Sequence, residues 1–235
     1  MLRAVTFDAT GTLLHSPRRG EIYAEILERH GVAVTPAEAE RLITLVWQEL
    51  ACSADPAFDR FAAHPEGPRG WWARFLERLC EHLGAPPPSR FAAAELYHRF
   101  ATAEAWEVYP EVPAVLENLR ARDLKLAVIA NWDDRLPPLL AALDLADSFE
   151  VVVTSFQVGA EKPDQRIFAF ALDRLSVPSF NTLHIGDRQL EDVEGAEAAG
   201  LHAVHLNRAD HNLSSLLLSK ATTGRAQWGA ARGNL

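Results

Sequence analysis

Cysteines and long apolar runs are scarce in this 235-residue chain. Cys52 and Cys80 are its two cysteines, and they offer neither a disulfide framework nor the paired spacing of a structural zinc site. No apolar run approaches the about 20 residues of a membrane-spanning helix, and the N-terminus lacks the pattern of a signal peptide. We therefore expect a protein of a reducing compartment, the cytoplasm by default, without a membrane partner.

Positive charge is also in short supply. Lys and Arg number 23 against 32 Asp and Glu, which gives a formal net charge of −9 at pH 7. This balance opposes nonspecific binding to nucleic acid or anionic membranes, so an anionic ligand would need a locally positive site. With 48% hydrophobic and 23% charged residues, the composition is that of a globular protein. The numbers predict a folded protein that does not bind nucleic acid.

Two kinds of apolar spacing divide the chain. Residues 2–7 are mostly apolar and end at a polar, glycine-containing break, which indicates a short strand with Asp8 at its tip. From about residue 20 to residue 102, apolar side chains recur every three or four positions, which indicates helices. After Trp106, short apolar runs alternate with helical stretches. These runs are residues 126–130, 151–154, 182–185 and 203–206.

Short apolar strands joined by helices predict a parallel sheet covered on both faces. The fold class that we expect is α/β, with a three-layer, Rossmann-like core and an all-helical domain inserted after the first strand. We assign the core to residues 1–14 and 106–210 and the helical domain to residues 15–105. Residues 211–235 are expected to form a C-terminal helix and a flexible tail.

Ligands of open parallel sheets bind beyond the carboxyl ends of the strands. The residues that directly follow predicted strands, or follow them after one glycine, are Asp8, Asn131, Ser155 and Asp187. Alone, an aspartate such as Asp8 before Thr10-Gly11-Thr12 is as consistent with a turn or a helix cap as with catalysis. The remaining segments must decide between these interpretations.

Asp187 and Asp192 lie five residues apart at the start of a predicted helix over residues 189–199. Mg²⁺ prefers a few carboxylate oxygens together with water and substrate phosphate, so aspartates at two adjacent strand tips suit it. In the alternative, Asp187 caps the helix and Asp192 is a solvated acid of the first turn. Lys162, before Pro163, could neutralise the carboxylates and bind a phosphoryl oxygen, or be a surface lysine.

Four segments occur in a fixed order along the chain. They are Asp8-Ala9-Thr10-Gly11-Thr12, a strand that ends in Asn131, Lys162-Pro163, and Gly186-Asp187 with Asp192. This order resembles the four sequential motifs of the haloacid dehalogenase superfamily of hydrolases, and residues 15–105 lie where that family carries a helical cap. The resemblance implies a Mg²⁺-dependent phosphatase that acts on a small phosphorylated metabolite. We expect a monomer or a homodimer.

The resemblance also implies a role for each motif residue. The magnesium ligands that it implies are Asp8, the backbone carbonyl of Thr10, Asp187 and Asp192. Asp8 would attack phosphorus to give an aspartyl-phosphate, which divides one difficult hydrolysis into two easier steps. Lys162 would stabilise charge on the transferring group, while Thr12 and Asn131 would orient Asp8 and the phosphoryl oxygens.

Two positions depart from the pattern of the family's phosphatases. Those enzymes usually carry a second aspartate, a general acid and base, at the position of Thr10, and a hydroxyl residue at the position of Ala130. A threonine hydroxyl does not exchange protons near neutral pH, so a contribution of about 10²- to 10⁴-fold would be missing. Thr10 in this respect resembles the P-type ATPases, and the founding dehalogenases also lack the second aspartate. Fast turnover of phosphomonoesters is therefore not expected, and slow hydrolysis, an unusual substrate and loss of catalysis all stay open.

Two alternatives stay open on the sequence. In a metal-free 2-haloacid dehalogenase, Asp8 would attack carbon, and Arg18 or Arg19 would bind the substrate carboxylate. Against this, Asp187 and Asp192 would concentrate negative charge beside Asp8 without a cation to balance it. In the second alternative, the two departures from the family pattern leave a catalytically weakened binding or regulatory protein.

Overall fold

A five-stranded parallel sheet forms the centre of the fold. The computed structural model describes residues 1–52 and 58–215. The strands are β1 Ala4–Phe7, β2 Leu14–His15, β3 Glu107–Val108, β4 Lys125–Ala130, β5 Val151–Thr154, β6 Thr182–Gly186 and β7 His202–His205. The helices are α1 Arg19–Arg29, α2 Pro36–Cys52, α3 Gly67–His82, α4 Arg90–Arg99, α5 Val112–Arg120, α6 Leu136–Ala142, α7 Ser155–Val158, α8 Gln165–Leu175 and α9 Gly195–Ala198. No described helix is both long and apolar enough to cross a membrane.

The order of strands in the sheet is β5-β4-β1-β6-β7, and all neighbours are parallel. Along β4, Leu126 and Val128 belong to a hydrophobic cluster with residues of α5 and α6, whereas Ile129 belongs to a cluster with residues of α8. Because successive side chains of a strand point to opposite faces, helices cover both faces of the sheet. This confirms the predicted three-layer α/β fold. β1 is central, so Asp8 emerges between the ends of β4 and β6.

Helices α1 to α4 surround a second hydrophobic cluster, which we call the helix core. Leu42, Ile43 and Val46 of α2 are buried there with the spacing of one helical face, and Phe75 of α3 packs in the same core. Helices were predicted for this part of the chain from that spacing. The domain boundaries inferred from the sequence stay predictions, and residues 216–235 of the predicted tail lie outside the described residues.

A short antiparallel pair of strands connects the helical segment to the sheet. β2 leads into α1 and β3 follows α4, and Leu14 pairs with Val108 while His15 pairs with Glu107. The His15 ring stacks on Tyr109 with centroids 4.5 Å apart. The chain therefore leaves the sheet and returns to it at one place, directly beyond the loop that follows Asp8.

The helix predicted over residues 189–199 is not uniform. Gln189–Glu194 is π-helical, with a hydrogen bond of 3.3 Å from Val193 N to Arg188 O, and α9 follows it. The Asp192 carboxylate accepts a 2.9 Å hydrogen bond from Arg188 N inside this wide turn. A Cβ on Gly186 would overlap that carboxylate, so glycine at this position leaves the room that Asp192 needs. The wide turn thus directs Asp192 back toward the end of β6.

Candidate active site

Three carboxylates meet at the carboxyl end of the sheet. Oxygen atoms of Asp8, Asp187 and Asp192 all lie within 4.8 Å of one another. β1 and β6 are adjacent parallel strands, which brings Asp8 and Asp187 together. Gly11 makes this approach possible, since it has a φ of +87° and a Cβ there would lie 2.5 Å from Asp187 Oδ2. The side chains that the sequence singled out as magnesium ligands therefore share one cleft.

Lys162 is buried among these carboxylates and is 3% exposed. Its Nζ donates to Asp8 Oδ1 at 2.7 Å and to Asp192 Oδ1 at 2.5 Å. Burial alone would lower the pKa of Lys162, but the two carboxylates outweigh it and raise that pKa above its usual range. Lys162 is therefore a fixed positive charge, and it touches two of the three aspartates.

Asn131 holds the backbone of Lys162. Its Nδ2 donates to Lys162 O at 2.9 Å, and its Oδ1 accepts from Lys162 N at 2.7 Å. Both polar atoms of the amide are engaged in this way, while the residue also lines the cavity above Asp8. Asn131 thus fixes where Lys162 enters the cluster, and its predicted contact with a phosphoryl oxygen stays a prediction.

Both oxygens of Asp192 accept hydrogen bonds from the protein. Oδ1 accepts a hydrogen bond from Lys162 Nζ and lies 3.2 Å from His184 Nε2. Oδ2 accepts a hydrogen bond from Arg188 N. The other ring nitrogen of His184 lies 2.8 Å from Thr6 Oγ1. Burial would raise the pKa of Asp192, but Lys162 and His184 reverse the effect and hold that pKa below its usual range. Asp192 is accordingly an ionised partner that orients Lys162.

The negative charges of Asp8 and Asp187 are less well balanced by neighbouring positive groups than that of Asp192. Burial raises the pKa of Asp8 to about 7; Lys162 opposes this shift, and the charges of Asp192 and Asp187 add to it. The pKa of Asp187 is raised by burial and then by the charge of Asp192. Asp187 Oδ1 is buried without a hydrogen-bond partner. Hard oxygen donors with uncompensated negative charge are the set that Mg²⁺ prefers.

The two threonines of the first motif differ in their surroundings. Thr10 is exposed, and its Oγ1 accepts a 3.0 Å hydrogen bond from Trp132 Nε1. Thr12 is fully buried, its Oγ1 has no hydrogen-bond partner, and it does not line the described cavity. Ser155, which also follows a strand, donates through Oγ to Trp132 O at 3.2 Å. Thr10 alone of these three lies in the cavity wall.

Sequence reasoning missed Arg208, which anchors the loop after Asp8. Its Nε donates to Gly11 O at 3.2 Å, and its Nη atoms donate to Thr12 O and to Glu111. These contacts hold two backbone carbonyls of the loop that follows Asp8. Its place three residues beyond β7 is the signal that could have found it, because it too follows the carboxyl end of a strand.

Contacts between the helical segment and the sheet also escaped prediction. Trp72 Nε1 of α3 donates to Asp133 Oδ2 at 2.8 Å, and Asp133 forms an ion pair with Arg135 at 2.6 Å. On the other side, Arg60 donates to the buried Glu161 through its backbone N and Nε, each at 2.7 Å. These pairs join the helical segment to loops that adjoin Asn131 and Lys162.

A cavity of about 410 Å³ extends from Asp8 and Lys162 to aromatic side chains of the helical segment. Arg19 lines it and pairs with Glu40 at 2.5 Å. Arg18 is exposed, pairs with Glu21 at 2.6 Å and is not among the described lining residues. The helical segment therefore supplies part of the wall of the cavity that contains Asp8 and Lys162.

Comparisons with known proteins agree with this architecture. A family model for haloacid dehalogenase-like hydrolases matches residues 2–200. The chain is 32% identical over 206 residues to haloacid dehalogenase-like hydrolase domain-containing protein 3 of Mus musculus, covering 86% of this chain and 80% of that protein.

Two solved structures share the fold. The HAD hydrolase YfnB of Bacillus subtilis, bound to magnesium, has a TM-score of 0.76 at 18% identity, covering 93% of this chain and 98% of that one. L-2-haloacid dehalogenase of Xanthobacter autotrophicus has a TM-score of 0.66 at 24% identity, covering 97% and 85%. The resemblance inferred from the four motifs is confirmed by the family match, and the chain belongs to the haloacid dehalogenase-like hydrolases.

Proposed function

We propose that this hydrolase is a magnesium-dependent phosphatase that acts on a small phosphorylated metabolite through an aspartyl-phosphate on Asp8. The observation that carries the proposal is the charge of the cleft. Three carboxylates lie within 4.8 Å of one another, and the single lysine among them contacts Asp8 and Asp192 but leaves Asp187 Oδ1 without a partner. A divalent cation balances the negative charge of such a cluster. In the metal-free alternative, in which Asp8 attacks carbon, Asp187 has no assigned role.

The residues present fit a magnesium ion. Asp8 and Asp187 would hold it with the backbone carbonyl of Thr10, and Asp192 would add charge while it orients Lys162. When bound, the ion supplies positive charge that stabilises the transferring phosphoryl group. The magnesium in the structure of YfnB supports a metal site in this fold.

The chain's own residues account for the two chemical steps. An oxygen of Asp8 attacks phosphorus, the bond from phosphorus to the ester oxygen breaks, and the released alkoxide takes a proton from water. Water then attacks the aspartyl-phosphate, which releases phosphate and regenerates the Asp8 carboxylate. Lys162 keeps its proton throughout and stabilises negative charge on the phosphoryl oxygens as a point charge.

Thr10 of the first motif and Ala130 of β4 determine the rate of hydrolysis that we expect. Thr10 offers no group that exchanges protons near neutral pH, and Ala130 offers no hydroxyl to the phosphoryl group. We therefore propose slow turnover of substrates whose leaving alcohol needs a proton. Substrates with acidic leaving groups, such as p-nitrophenyl phosphate, depend less on the missing acid.

The test is hydrolysis of p-nitrophenyl phosphate by the purified chain. Phosphate release is expected with magnesium, and it should stop with excess chelator and in Asp8→Asn. Asp147→Asn is a suitable control, because it makes a like substitution outside the site, next to α6. Failure of all three responses in a folded protein would leave the weakened binding or regulatory protein as the better account.

The dehalogenase alternative has one observation in its favour. Arg19 lines the cavity, where a substrate carboxylate could meet it. Its pairing with Glu40 weighs against that role, because the guanidinium already has an anionic partner. Chloride release from 2-chloropropionate in the presence of chelator would establish this activity and favour it over the phosphatase.

A further inference from the structure

The cavity wall beyond the reaction centre is aromatic. Trp132, whose indole touches Thr10, lies with its ring centroid 5.1 Å from that of Trp106, and Phe100 follows at 6.0 Å from Trp106. Trp47 and Trp72 form the wall contributed by α2 and α3, with centroids 6.0 Å apart. All five side chains are only partly buried, because they face the cavity. A row of rings therefore leads from the nucleophile into the helical segment.

Most polar groups of this wall already have partners within the protein. The indole N–H groups of Trp72, Trp106 and Trp132 donate to Asp133 Oδ2, Phe100 O and Thr10 Oγ1 respectively. Tyr97, which also lines the cavity, donates its hydroxyl to Asp134 at 2.8 Å.

The arginines of the wall are similarly engaged. Arg19 and Arg135 form ion pairs with Glu40 and Asp133. Among the described lining residues away from Asp8, the side chains left to meet a polar substituent are Gln48, the Tyr23 hydroxyl and the Trp47 indole N–H, whereas the unpaired Nη1 of Arg60 is buried.

This wall discriminates against hydroxyl-rich ligands. Each hydroxyl that enters loses its hydrogen bonds to water and finds few free partners, which weakens binding by roughly tenfold per group. A flat apolar ring has no hydrogen bonds to water to lose, and it stacks on the indoles. A cavity of about 410 Å³ is near the small end of ligand pockets, so it accommodates one ring system beside the phosphoryl group.

We infer that the alcohol released by this enzyme carries an apolar aromatic ring, and that the substrates are arylalkyl or aryl phosphomonoesters rather than sugar phosphates. The inference rests on the proposed phosphatase function, which it makes more specific. The phosphoryl group lies at Asp8 and Lys162, and the ring lies against Trp106 and Phe100.

The first test compares esters with the same kind of leaving group. 2-Phenylethyl phosphate, ethyl phosphate and glucose 6-phosphate are all esters of primary alcohols, so their chemistry is similar and their bound groups differ. We expect kcat/KM for 2-phenylethyl phosphate to exceed that for each of the others by about 50-fold, the gain from burying one phenyl group. Equal values, or a preference for glucose 6-phosphate or adenosine monophosphate, would overturn the inference.

Variants locate the ring. Phe100→Ala should reduce the ratio of kcat/KM for the phenylethyl and ethyl esters by about tenfold, whereas Phe91→Ala, an exposed phenylalanine of α4, should leave the ratio unchanged. If Phe100→Ala fails to fold, Ala93→Leu narrows the cavity from α4 and should lower the same ratio, with Ala94→Leu as its control. Equal ratios in each variant and its control would contradict this placement.

Binding separates the two proposals. 2-Phenylethylphosphonate and ethylphosphonate cannot be hydrolysed, and their dissociation constants are measured by tryptophan fluorescence with magnesium. If the phenylethyl compound binds about 50-fold tighter and no phosphate ester is hydrolysed, the aromatic site stands and the phosphatase function fails. If both phosphonates bind equally while esters are hydrolysed, the phosphatase function stands and the aromatic site fails.

Discussion

Thr10 lies in the cavity wall two residues after Asp8, where the proposed mechanism lacks a general acid. Its side chain is exposed to the cavity, and its hydroxyl accepts a hydrogen bond from Trp132. An aspartate would accept the same hydrogen bond and could also exchange a proton with the substrate. An aspartate at this position would therefore face the same cavity.

Thr10→Asp is expected to raise kcat for 2-phenylethyl phosphate by about 10²-fold, because a positioned general acid contributes on the order of 10²- to 10⁴-fold. Thr10→Asn is the matched control, since its amide accepts the indole hydrogen bond but transfers no proton. Steady-state phosphate release at pH 6 to 7 is the measurement. If the aspartate and asparagine variants are equally slow, Thr10 does not limit the rate.

Asp187 and Asp192 should respond in opposite directions to the same substitution. With chelator present, Asp187→Asn removes a poorly compensated charge and is expected to raise Tm by about 2 °C. Asp192→Asn removes a partner of the buried Lys162 and is expected to cost about 2 kcal/mol, lowering Tm by about 5 °C. Magnesium should raise Tm of the parent but not of Asp187→Asn. A loss of stability in both variants would contradict the charge balance described for the cleft.

The pH dependence follows from the same contacts. The pKa of Asp192 is lowered in the folded chain relative to its unfolded value of 3.8, so its stabilising contribution is fully present above that value and is lost as the pH falls below it. The difference in unfolding free energy between the parent and Asp192→Asn should therefore shrink below about pH 4. Urea titrations with chelator at pH 3 and pH 6 measure this difference.

The start of α6 carries one of the polar contacts between the helical segment and the sheet. Asp133 precedes α6, and its Oδ1 accepts a hydrogen bond from Arg135 N at 3.1 Å. It is also 1% exposed and forms an ion pair with Arg135, whose guanidinium lies 4.0 Å from the Tyr97 ring centroid and 5.1 Å from that of Trp72. The element therefore depends on a buried charge that has one cationic partner.

Arg135→Met is expected to destabilise the chain by about 3 kcal/mol, because it leaves the Asp133 carboxylate buried without its cation. The double variant Asp133→Asn with Arg135→Met removes both charges and should recover more than half of that loss. Arg174→Met provides the control, since Arg174 covers Phe170 near the end of α8, far along the chain from this contact. Urea unfolding measures all three, and a double variant no more stable than the single one would refute the role of the buried charge.

The strand ends were predictable, and the contacts between elements were not. Asp8 and Asp187 follow short apolar runs, and parallel strands bring their carboxyl ends to one edge, so sequence spacing sufficed to bring these residues together. Arg135, Arg60 and Arg208 carry no motif. Their partners depend on how the helices cover the sheet and how the loops fold, which local spacing does not encode.

The same limit applies to the polar motif residues. Asn131 was singled out by its place after β4. In the structure its amide forms hydrogen bonds with the backbone N–H and carbonyl of Lys162. Thr12 was expected to orient Asp8 and the phosphoryl oxygens; it is buried and is not among the described lining residues, and that role stays a prediction. Position after a strand predicts which residues reach the cleft edge, but the partner of each side chain depends on loops that meet only in the folded chain.

The helix core and the core of the sheet meet at Trp106. This residue packs against both clusters, and its ring lies near Phe100 on one side and Trp132 on the other. Trp47, of similar size, packs against the helix core. Substituting Trp47 removes buried area from the helix core alone, whereas substituting Trp106 also removes a contact between the two cores. Comparing the two variants therefore separates these effects.

Trp106→Ala and Trp47→Ala should each cost about 3 kcal/mol, because each removes a large aromatic side chain from a packed site. Only Trp106→Ala is expected to separate the unfolding of the two cores. In urea titrations, tryptophan emission reports mainly on the helix core, where Trp71 and Trp72 lie, and far-UV circular dichroism reports on the entire chain. The two curves should coincide for the parent and for Trp47→Ala and diverge for Trp106→Ala. Coincident curves in Trp106→Ala would mean that the ion pairs of Arg60 and Arg135, rather than this tryptophan, couple the cores.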